Sequence, residues 1–140
     1  MKGYTLIEVL VFLSIFAVLL GLASSSFLKS SDKHKLQKAV WEIHAKLNYA
    51  RFKAIFSGTR FRISFNPVGY TIEKYNQDLG EWNVEMGNIL EGVYIQANNG
   101  PVFHPQGTVS NLSSITASNT WGSYKITLAI SGRIRIVKIE

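Results

Sequence analysis

The sequence predicts an α+β protein, in which a long N-terminal helix continues into a globular head whose antiparallel β-sheet packs on that helix. Three observations predict this fold. Residues 4–23 form an almost unbroken apolar run, and apolar residues then recur at helical spacing as far as residue 54. After Gly58 apolar and polar residues alternate, which is the period of a half-buried strand. A helix followed by a run of strands is typical of α+β folds.

The apolar run is long enough to cross a membrane. Between Tyr4 and Ala23 only Thr5, Glu8, Ser14 and small residues interrupt it, and a helix of this length spans about 30 Å, the thickness of the hydrocarbon core. We therefore predict a transmembrane and assembly helix at residues 4–28. The alternative is a cleaved secretory signal peptide, for which residues 23–26 offer a site of small residues.

The helix is predicted to continue through residues 29–58 as an amphipathic segment. Apolar residues there alternate at spacings of four and three, which places them on one stripe of a helix. Gly58 suits the C-cap position at which such a helix would end. The stripe consists of Leu36, Val40, Ile43, Leu47, Ala50 and Ala54.

Residues 59–140 are predicted to form the β-rich head. Phe61, Ile63 and Phe65 alternate with polar residues, and the turn at 66–69 leads into a second strand at 70–75, so this segment indicates a hairpin. Clusters of Gly, Asn and Ser separate the later candidate strands. These lie at 82–86, 93–96, 101–103, 114–117, 124–130 and 133–139.

Charge is distributed unevenly along a chain whose net charge is +6. Residues 29–62 hold nine Lys or Arg against two acids, residues 63–124 hold one Lys against five acids, and residues 125–140 hold four bases against one acid. The first basic cluster fits a helix face beside anionic lipid headgroups better than a dedicated nucleic-acid surface. The absence of cysteine excludes a disulfide framework, a thiol nucleophile and a thiolate metal site.

Glu8 is unusual because it places a carboxylate inside the apolar run. A charge at this position costs a few kcal/mol in lipid, so we expect it to have a cationic partner. The nearest such group would be an α-amino group, and the chain has one nearby only if it is cut just before Tyr4.

The segment Lys2-Gly3-Tyr4-Thr5-Leu6-Ile7-Glu8-Val9-Leu10 resembles the cleavage and methylation signal of type IV prepilins. That resemblance implies that residues 1–3 are a leader, that prepilin peptidase cuts after Gly3, and that the new amino group of Tyr4 is methylated. It also implies that Glu8 pairs with the N-terminus of a neighbouring subunit in a fibre. Tyr4 departs slightly from the usual Phe or Met of this family.

Three further segments, at 47–60, 102–109 and 124–136, resemble the helix end, the mid-domain loop and the terminal hairpin of the GspH/FimT family of minor pseudopilins and minor pilins. The resemblance implies a structural subunit, not an enzyme, assembled into a type IV pilus-like or type II secretion fibre. Its partners would be other pilin subunits, prepilin peptidase and the bacterial inner membrane, with the head outside the cytoplasm. The positive-inside rule points the other way, because one lysine precedes the apolar run and several follow it.

The residues themselves offer little for catalysis. His34, His44 and His104 lie in no zinc-binding spacing and beside no carboxylate pair, so solvated or packed histidines are the favoured interpretation. The aspartates are too few and too separated for a calcium site. We expect no catalytic residue, no metal and no cofactor.

The segment Gly132-Arg133-Ile134-Arg135 is the one motif with a second interpretation. In a strand, Arg133 and Arg135 would share a face about 7 Å apart, close to the spacing of neighbouring phosphates. The simpler interpretation is an edge strand whose arginines keep it soluble. The resemblance to FimT-like minor pilins implies DNA binding through this motif as an alternative function, with Lys125 and Lys138 as further phosphate contacts.

Overall fold

The computed structural model describes the backbone of residues 5–139 and the side chains of residues 5–20 and 31–139. The predicted processing residues Gly3 and Tyr4, and the leader before them, lie outside the described residues.

A single helix, α1, spans Leu6–Ser57. Thr5 caps its N-terminus by accepting a hydrogen bond from the Glu8 amide, and Gly58 ends it in the left-handed conformation with φ 65°. Glycine adopts that conformation without a Cβ penalty, which is why the helix ends where the sequence predicted. Its 52 residues give a length of about 78 Å.

The head is built from nine strands in two antiparallel sheets. The five-stranded sheet has the order β3-β2-β1-β5-β6, and the four-stranded sheet has the order β4-β7-β8-β9. The strands are β1 Phe61–Asn66, β2 Gly69–Asn76, β3 Glu81–Ile89, β4 Tyr94–Ala97, β5 Val102–Phe103, β6 Val109–Ser110, β7 Ser114–Asn119, β8 Gly122–Leu128 and β9 Ile134–Ile139.

The core lies between α1 and the inner faces of both sheets. All six residues of the predicted stripe are buried, none with more than 3% of its surface exposed. Facing them are Phe61, Ile63, Ile72, Phe103, Ile115 and Ile126, each at 1% exposure or less. The predicted α+β architecture, with antiparallel strands covering the stripe, is therefore confirmed.

Several local expectations differ from the structure. Phe65, predicted to face inward, is only partly buried and packs at the margin of the core. The third strand extends to Ile89 instead of ending at residue 86, and the short strand β6 was not predicted. Residues 129–133 form a turn, closed by the Gly132 amide donating to the Ala129 carbonyl at 2.8 Å. Arg133 therefore precedes β9 and is not part of it.

Candidate functional site

The first part of α1 is covered by nothing within the described residues. Every large apolar side chain between Leu6 and Leu20 is between 49% and 79% exposed. A continuous apolar surface of this kind marks a site of interaction with another molecule or with lipid. Within the described part of the chain, no helix reaches the length and apolarity that a membrane crossing requires.

Glu8 lies in the first turn of this segment. Its amide is held by Thr5, whose Oγ1 lies 3.4 Å away and whose carbonyl oxygen lies 3.1 Å away. Its carboxylate is at the helix N-terminus, where the helix dipole favours negative charge. No ion pair in the described residues involves Glu8, so the geometry leaves it available to a cation supplied from outside them.

Exposed apolar side chains continue along α1 into the head. Trp41 and Phe52 are both exposed, and about three helical turns separate them, so they lie on one face. Phe56, close to the end of the helix, is 92% exposed. Ile43 of the buried stripe follows Trp41 by about half a turn. The exposed face of α1 is therefore the one that points away from both sheets.

One flank of α1 is held by β2 and β3. Glu42 accepts hydrogen bonds from the Tyr70 hydroxyl at 2.9 Å and from the Asn88 amide at 2.6 Å. Burial, together with the hydrogen bond to Glu42, raises the pKa of the Tyr70 hydroxyl. Further along, Glu85 of β3 accepts from the Tyr49 hydroxyl at 3.4 Å and pairs with Lys53 at 3.7 Å.

The opposite flank of α1 is held by the β5–β6 loop of the five-stranded sheet and by the β8–β9 turn of the four-stranded sheet. Arg51 follows Glu42 by nine residues, about two and a half turns, so the two side chains leave opposite sides of the helix. Arg51 Nε donates to the Gly107 carbonyl at 3.1 Å and packs against Gly132. Nearer the apolar segment, a third contact lies about 80° around the helix from Glu42 and so is not on the Arg51 flank. There the Asn119 side-chain amide donates to the Asp32 carbonyl at 2.8 Å, and the Thr120 hydroxyl donates to the Asp32 carboxylate at 2.6 Å.

The predicted basic residues of the C-terminal hairpin separate into two groups. Arg133 and Arg135 are exposed and line one shallow concavity of about 300 Å³ with residues 127–129. Lys125 lies on the same face of the sheet, because it pairs with Val137 and Val137 shares a face with Arg135. Lys138 does not join them. It pairs with Tyr124 on the other face, and its Nζ lies over the Trp121 ring, 4.6 Å from the centroid.

The three histidines are placed separately. His104 Nε2 lies 2.8 Å from the Ser110 hydroxyl, and His44 contacts Asn48 and the edge of Trp41. His34 is exposed on α1. Among the residues that the structure describes, no three His, Asp or Glu side chains come together as metal ligands. The arrangement offers surfaces for binding and assembly.

Sequence reasoning missed the contacts that fix the head on the helix. Glu42, Arg51 and Asp32 bind partners that are 28, 56 and 88 residues away in the chain. No local sequence pattern predicts such pairs. The only signal was that each of these three residues lies off the predicted apolar stripe.

Comparison with protein-family models gives one match, in the N-terminal region. Residues 1–24 match the model described as the prokaryotic N-terminal methylation motif. No curated protein matches the chain.

Solved structures match most of the chain. The minor pseudopilin EpsH from the type 2 secretion system of Vibrio cholerae is 16% identical, and the match covers 77% of this chain and 97% of that one with a TM-score of 0.65. A second EpsH structure gives a TM-score of 0.63 at 16% identity, covering 74% of this chain and 97% of that one. The type IV minor pilin FimU of Pseudomonas aeruginosa is 18% identical, with 76% and 91% covered and a TM-score of 0.62.

These findings define the class of the protein: an N-terminal methylation motif is joined by one long helix to an α+β head with the pilin fold. Within that class, the solved structures reported above are a minor pseudopilin and a minor pilin. The predicted resemblance to the GspH/FimT type is therefore confirmed at the level of the fold.

Proposed function

We propose that this chain is a minor pilin or pseudopilin, a structural subunit of a type IV pilus-like or type II secretion fibre, and that it is not an enzyme. The observation that carries the proposal is the continuous α1. Its first part exposes apolar side chains with one acid, Glu8, near the start, and its second part is fixed into the head. Such a surface is covered when the helix packs beside equivalent helices of other subunits or lies in lipid.

The proposed order of events begins in the bacterial inner membrane, with the head outside the cytoplasm. Prepilin peptidase removes residues 1–3 after Gly3, and the amino group of Tyr4 is methylated. Residues 4–28 then serve as the transmembrane and assembly helix, 29–58 as its amphipathic continuation, and 59–140 as the head. The match of residues 1–24 to the methylation motif supports the processing step.

The proposed role of Glu8 follows from electrostatics. A carboxylate in an apolar surrounding is costly unless a cation pairs with it, and such a pair is strong because water does not screen it. In a fibre the methylated amino group of a neighbouring subunit would supply this cation. Glu8 would thereby set the depth at which one helix docks beside the next.

Substitution of Glu8 tests the proposal. We expect Glu8→Ala to abolish incorporation into fibres while leaving the amount of membrane-bound protein and the folding of the head unchanged. The matched control is Ser14→Ala, in the same exposed segment, whose hydroxyl donates to the Val11 carbonyl at 2.8 Å. Intact mass spectrometry of the membrane form should find a chain that begins with methylated Tyr4. A full-length mass, together with normal assembly of Glu8→Ala, would reject the proposal.

DNA binding is the second candidate function, and one observation favours it. Arg133 and Arg135 are both exposed and line the same concavity, with Lys125 on the same sheet face. Guanidinium groups arranged in this way suit phosphate contacts that are independent of sequence and sensitive to salt.

A mobility-shift assay on the full chain in detergent, with single-stranded and duplex DNA, tests this candidate. We expect Arg133→Gln combined with Arg135→Gln to remove binding at low salt. Lys138→Gln is the matched control for Arg135→Gln alone, because each removes one positive charge from the same strand but from opposite faces. Equal binding by both variants, or no binding by the wild-type chain at low salt, would reject DNA capture.

A further inference from the structure

The two ends of the head lie at different distances from the apolar segment of α1. At one end Asn119 and Thr120, in the turn between β7 and β8, bind Asp32. At the other end Gly132 packs against Arg51, which lies about 28 Å further along the helix. The turn between β7 and β8 is therefore at the end of the head that is nearer the apolar segment.

A tryptophan and two lysines meet at this nearer end. Trp121 follows Thr120 in the turn, is partly buried, and stacks on Tyr124 with 6.5 Å between the ring centroids. Lys33 of α1 places its Nζ 5.6 Å from the centroid of the Trp121 ring, and Lys138 of β9 places its Nζ 4.6 Å from it. Both lysines are exposed. We call Lys33, Trp121 and Lys138 together the Trp121 patch.

The two lysines of the Trp121 patch bring two positive charges together. Because the two ammonium groups lie beside one ring they repel each other, and a negative group that contacts both would relieve this repulsion. Asp32, the acid next to Lys33 in the chain, is engaged elsewhere, since it accepts from Thr120 at 2.6 Å and pairs with Lys35 at 3.8 Å. No ion pair in the described residues involves Lys33 or Lys138. The patch is therefore suited to an anionic ligand.

The position of the patch favours a lipid headgroup as that ligand. Under the proposed function residues 4–28 lie in the membrane, and Lys33 follows them by about 7.5 Å along the helix. The headgroup layer on each side of the hydrocarbon is about 5–7 Å thick, and helix side chains lean towards the N-terminus, here towards the lipid. Tryptophan is enriched at this level of a membrane because its ring is apolar and its N–H is polar. Lysines at the same level attract anionic lipids.

We propose that the Trp121 patch docks on anionic phospholipid headgroups at the membrane face from which α1 emerges. Lys33 and Lys138 contact the headgroup phosphates, and Trp121 lies at the level of the headgroups. The inference rests on the proposed function, which supplies a membrane at this end of the head. It adds that the head rests on the membrane in one orientation before assembly, and that this contact is released when the chain enters a fibre.

Fluorescence quenching on the full chain tests the docking. The chain contains no cysteine, so a fluorophore can be attached at Gly122→Cys, beside Trp121, where a Cβ meets nothing within 4 Å. The labelled chain is reconstituted into vesicles of phosphatidylcholine, with or without phosphatidylglycerol, that carry a quenching spin label on the lipid headgroup. The matched control carries the fluorophore at Ile130→Cys, an exposed position two residues before Gly132, at the far end of the head.

We expect phosphatidylglycerol to raise the quenching at residue 122 several-fold and to leave the quenching at residue 130 unchanged. High salt should reverse the increase, because it screens the lysines from the lipid phosphates. Equal responses at the two positions, or a response at residue 122 that ignores phosphatidylglycerol, would overturn the proposal.

Removal of charge provides a second measurement in the same vesicles. We expect Lys33→Gln and Lys138→Gln each to weaken the docking by about fivefold, the usual effect of one lysine near an anionic membrane surface. Lys74→Gln is the matched control, because Lys74 is exposed and pairs with Phe61 at the start of β1, just beyond the end of α1. Its docking should equal that of the wild-type chain. Docking that survives the loss of both patch lysines would also overturn the proposal.

Flotation with vesicles of phosphatidylcholine alone separates this inference from the proposed function. A chain that floats, but whose quenching ignores phosphatidylglycerol, retains its membrane helix, so that result rejects the docking and leaves the proposed function standing. A chain that floats with neither kind of vesicle would reject both. Incorporation that depends on Glu8 is measured separately and does not require the Trp121 patch.

Discussion

The two parts of α1 belong to one continuous helix but have opposite surroundings. Between Leu6 and Leu20 every large apolar side chain is exposed, whereas the stripe from Leu36 to Ala54 is buried beneath two sheets. No change in the backbone accompanies this difference, because the helix is continuous from Leu6 to Ser57. What changes is the sequence pattern: the first part is apolar on all sides, and the second is apolar mainly on one stripe.

The comparison shows how one helix can serve two purposes. The stripe lets a single chain complete its own core, so the head can fold before assembly. Within the described residues nothing covers the first part, and under the proposed function lipid or other subunits would cover it. Stability of the head and competence for assembly should therefore respond to different substitutions.

Removal of a buried leucine should have the largest effect on the head. Leu47 is fully buried, and we expect Leu47→Ala to lower the free energy of unfolding by about 2–5 kcal/mol, because the cavity left behind is only partly filled. Unfolding by urea in mild detergent can be followed by tryptophan fluorescence. Trp41 lies in the covered part of α1, Trp82 in β3 and Trp121 in the turn between β7 and β8, so the signal reports on the head.

Leu13→Ala is the matched control, because Leu13 is 55% exposed on the same helix. We expect its unfolding curve to coincide with that of the wild-type chain, to within about 0.5 kcal/mol. Equal destabilisation by the two substitutions would contradict the division of α1 into two parts.

Gly132→Ala should have the next largest effect on the stability of the head. It disturbs the contact of the β8–β9 turn with Arg51, on the second part of α1. Gly132 has φ 81°, and a Cβ there would lie 2.5 Å from Arg51 Nε. We expect a loss of about 1–2 kcal/mol from the left-handed conformation alone, measured by the same unfolding assay. Gly122→Ala is the control, because its Cβ would meet nothing within 4 Å. If the Gly132→Ala variant were as stable as this control, the contact between the β8–β9 turn and Arg51 would not contribute to the stability of the head.

Sequence could predict the parts of this fold that depend on local periods. The stripe from Leu36 to Ala54, the cap at Gly58 and the hairpin of β1 and β2 follow from spacing and turn chemistry. The division of the strands into two sheets could not be predicted, because β4 leaves its neighbour in sequence, β3, and pairs with β7. Strand alternation alone places Lys138 on the face opposite Arg135, but its aromatic partner, Trp121, comes from a turn 17 positions earlier and follows from no local pattern.

Tyr70→Phe, which removes a contact with Glu42, should lower the free energy of unfolding by a smaller amount, and this amount should depend on pH. Loss of the hydrogen bond to Glu42 should cost about 0.5–1.5 kcal/mol near neutral pH. The folded-state pKa of Tyr70 is raised by burial and by Glu42, so the neutral hydroxyl stabilises the fold below its unfolded pKa of 10.0. That contribution is lost as the pH rises above 10 towards the folded value.

The stability difference between the wild-type chain and Tyr70→Phe should therefore stay constant up to about pH 10 and then decrease. Unfolding curves collected from pH 8 upward, with the exposed Tyr94→Phe as control, measure this decrease. A difference that grows with alkaline pH would contradict the sign of the pKa change.

The smallest effect is expected on β1 and β2, at a contact that does not involve α1. Arg62 Nε donates to the Glu73 carboxylate at 2.6 Å, and this bond lowers the pKa of Glu73 although burial opposes it. Because the folded pKa is depressed, the stabilisation is present above the unfolded value of 4.5 and is lost as the pH falls through the folded one. The pair is partly exposed, so we expect Glu73→Gln to cost less than about 1 kcal/mol at neutral pH. The variant should also lose less stability than the wild-type chain on acidification, in unfolding curves that use Glu91→Gln as control. A larger loss than that of Gly132→Ala would mean that the head depends more on contacts within its sheet than on those that fix it to the helix.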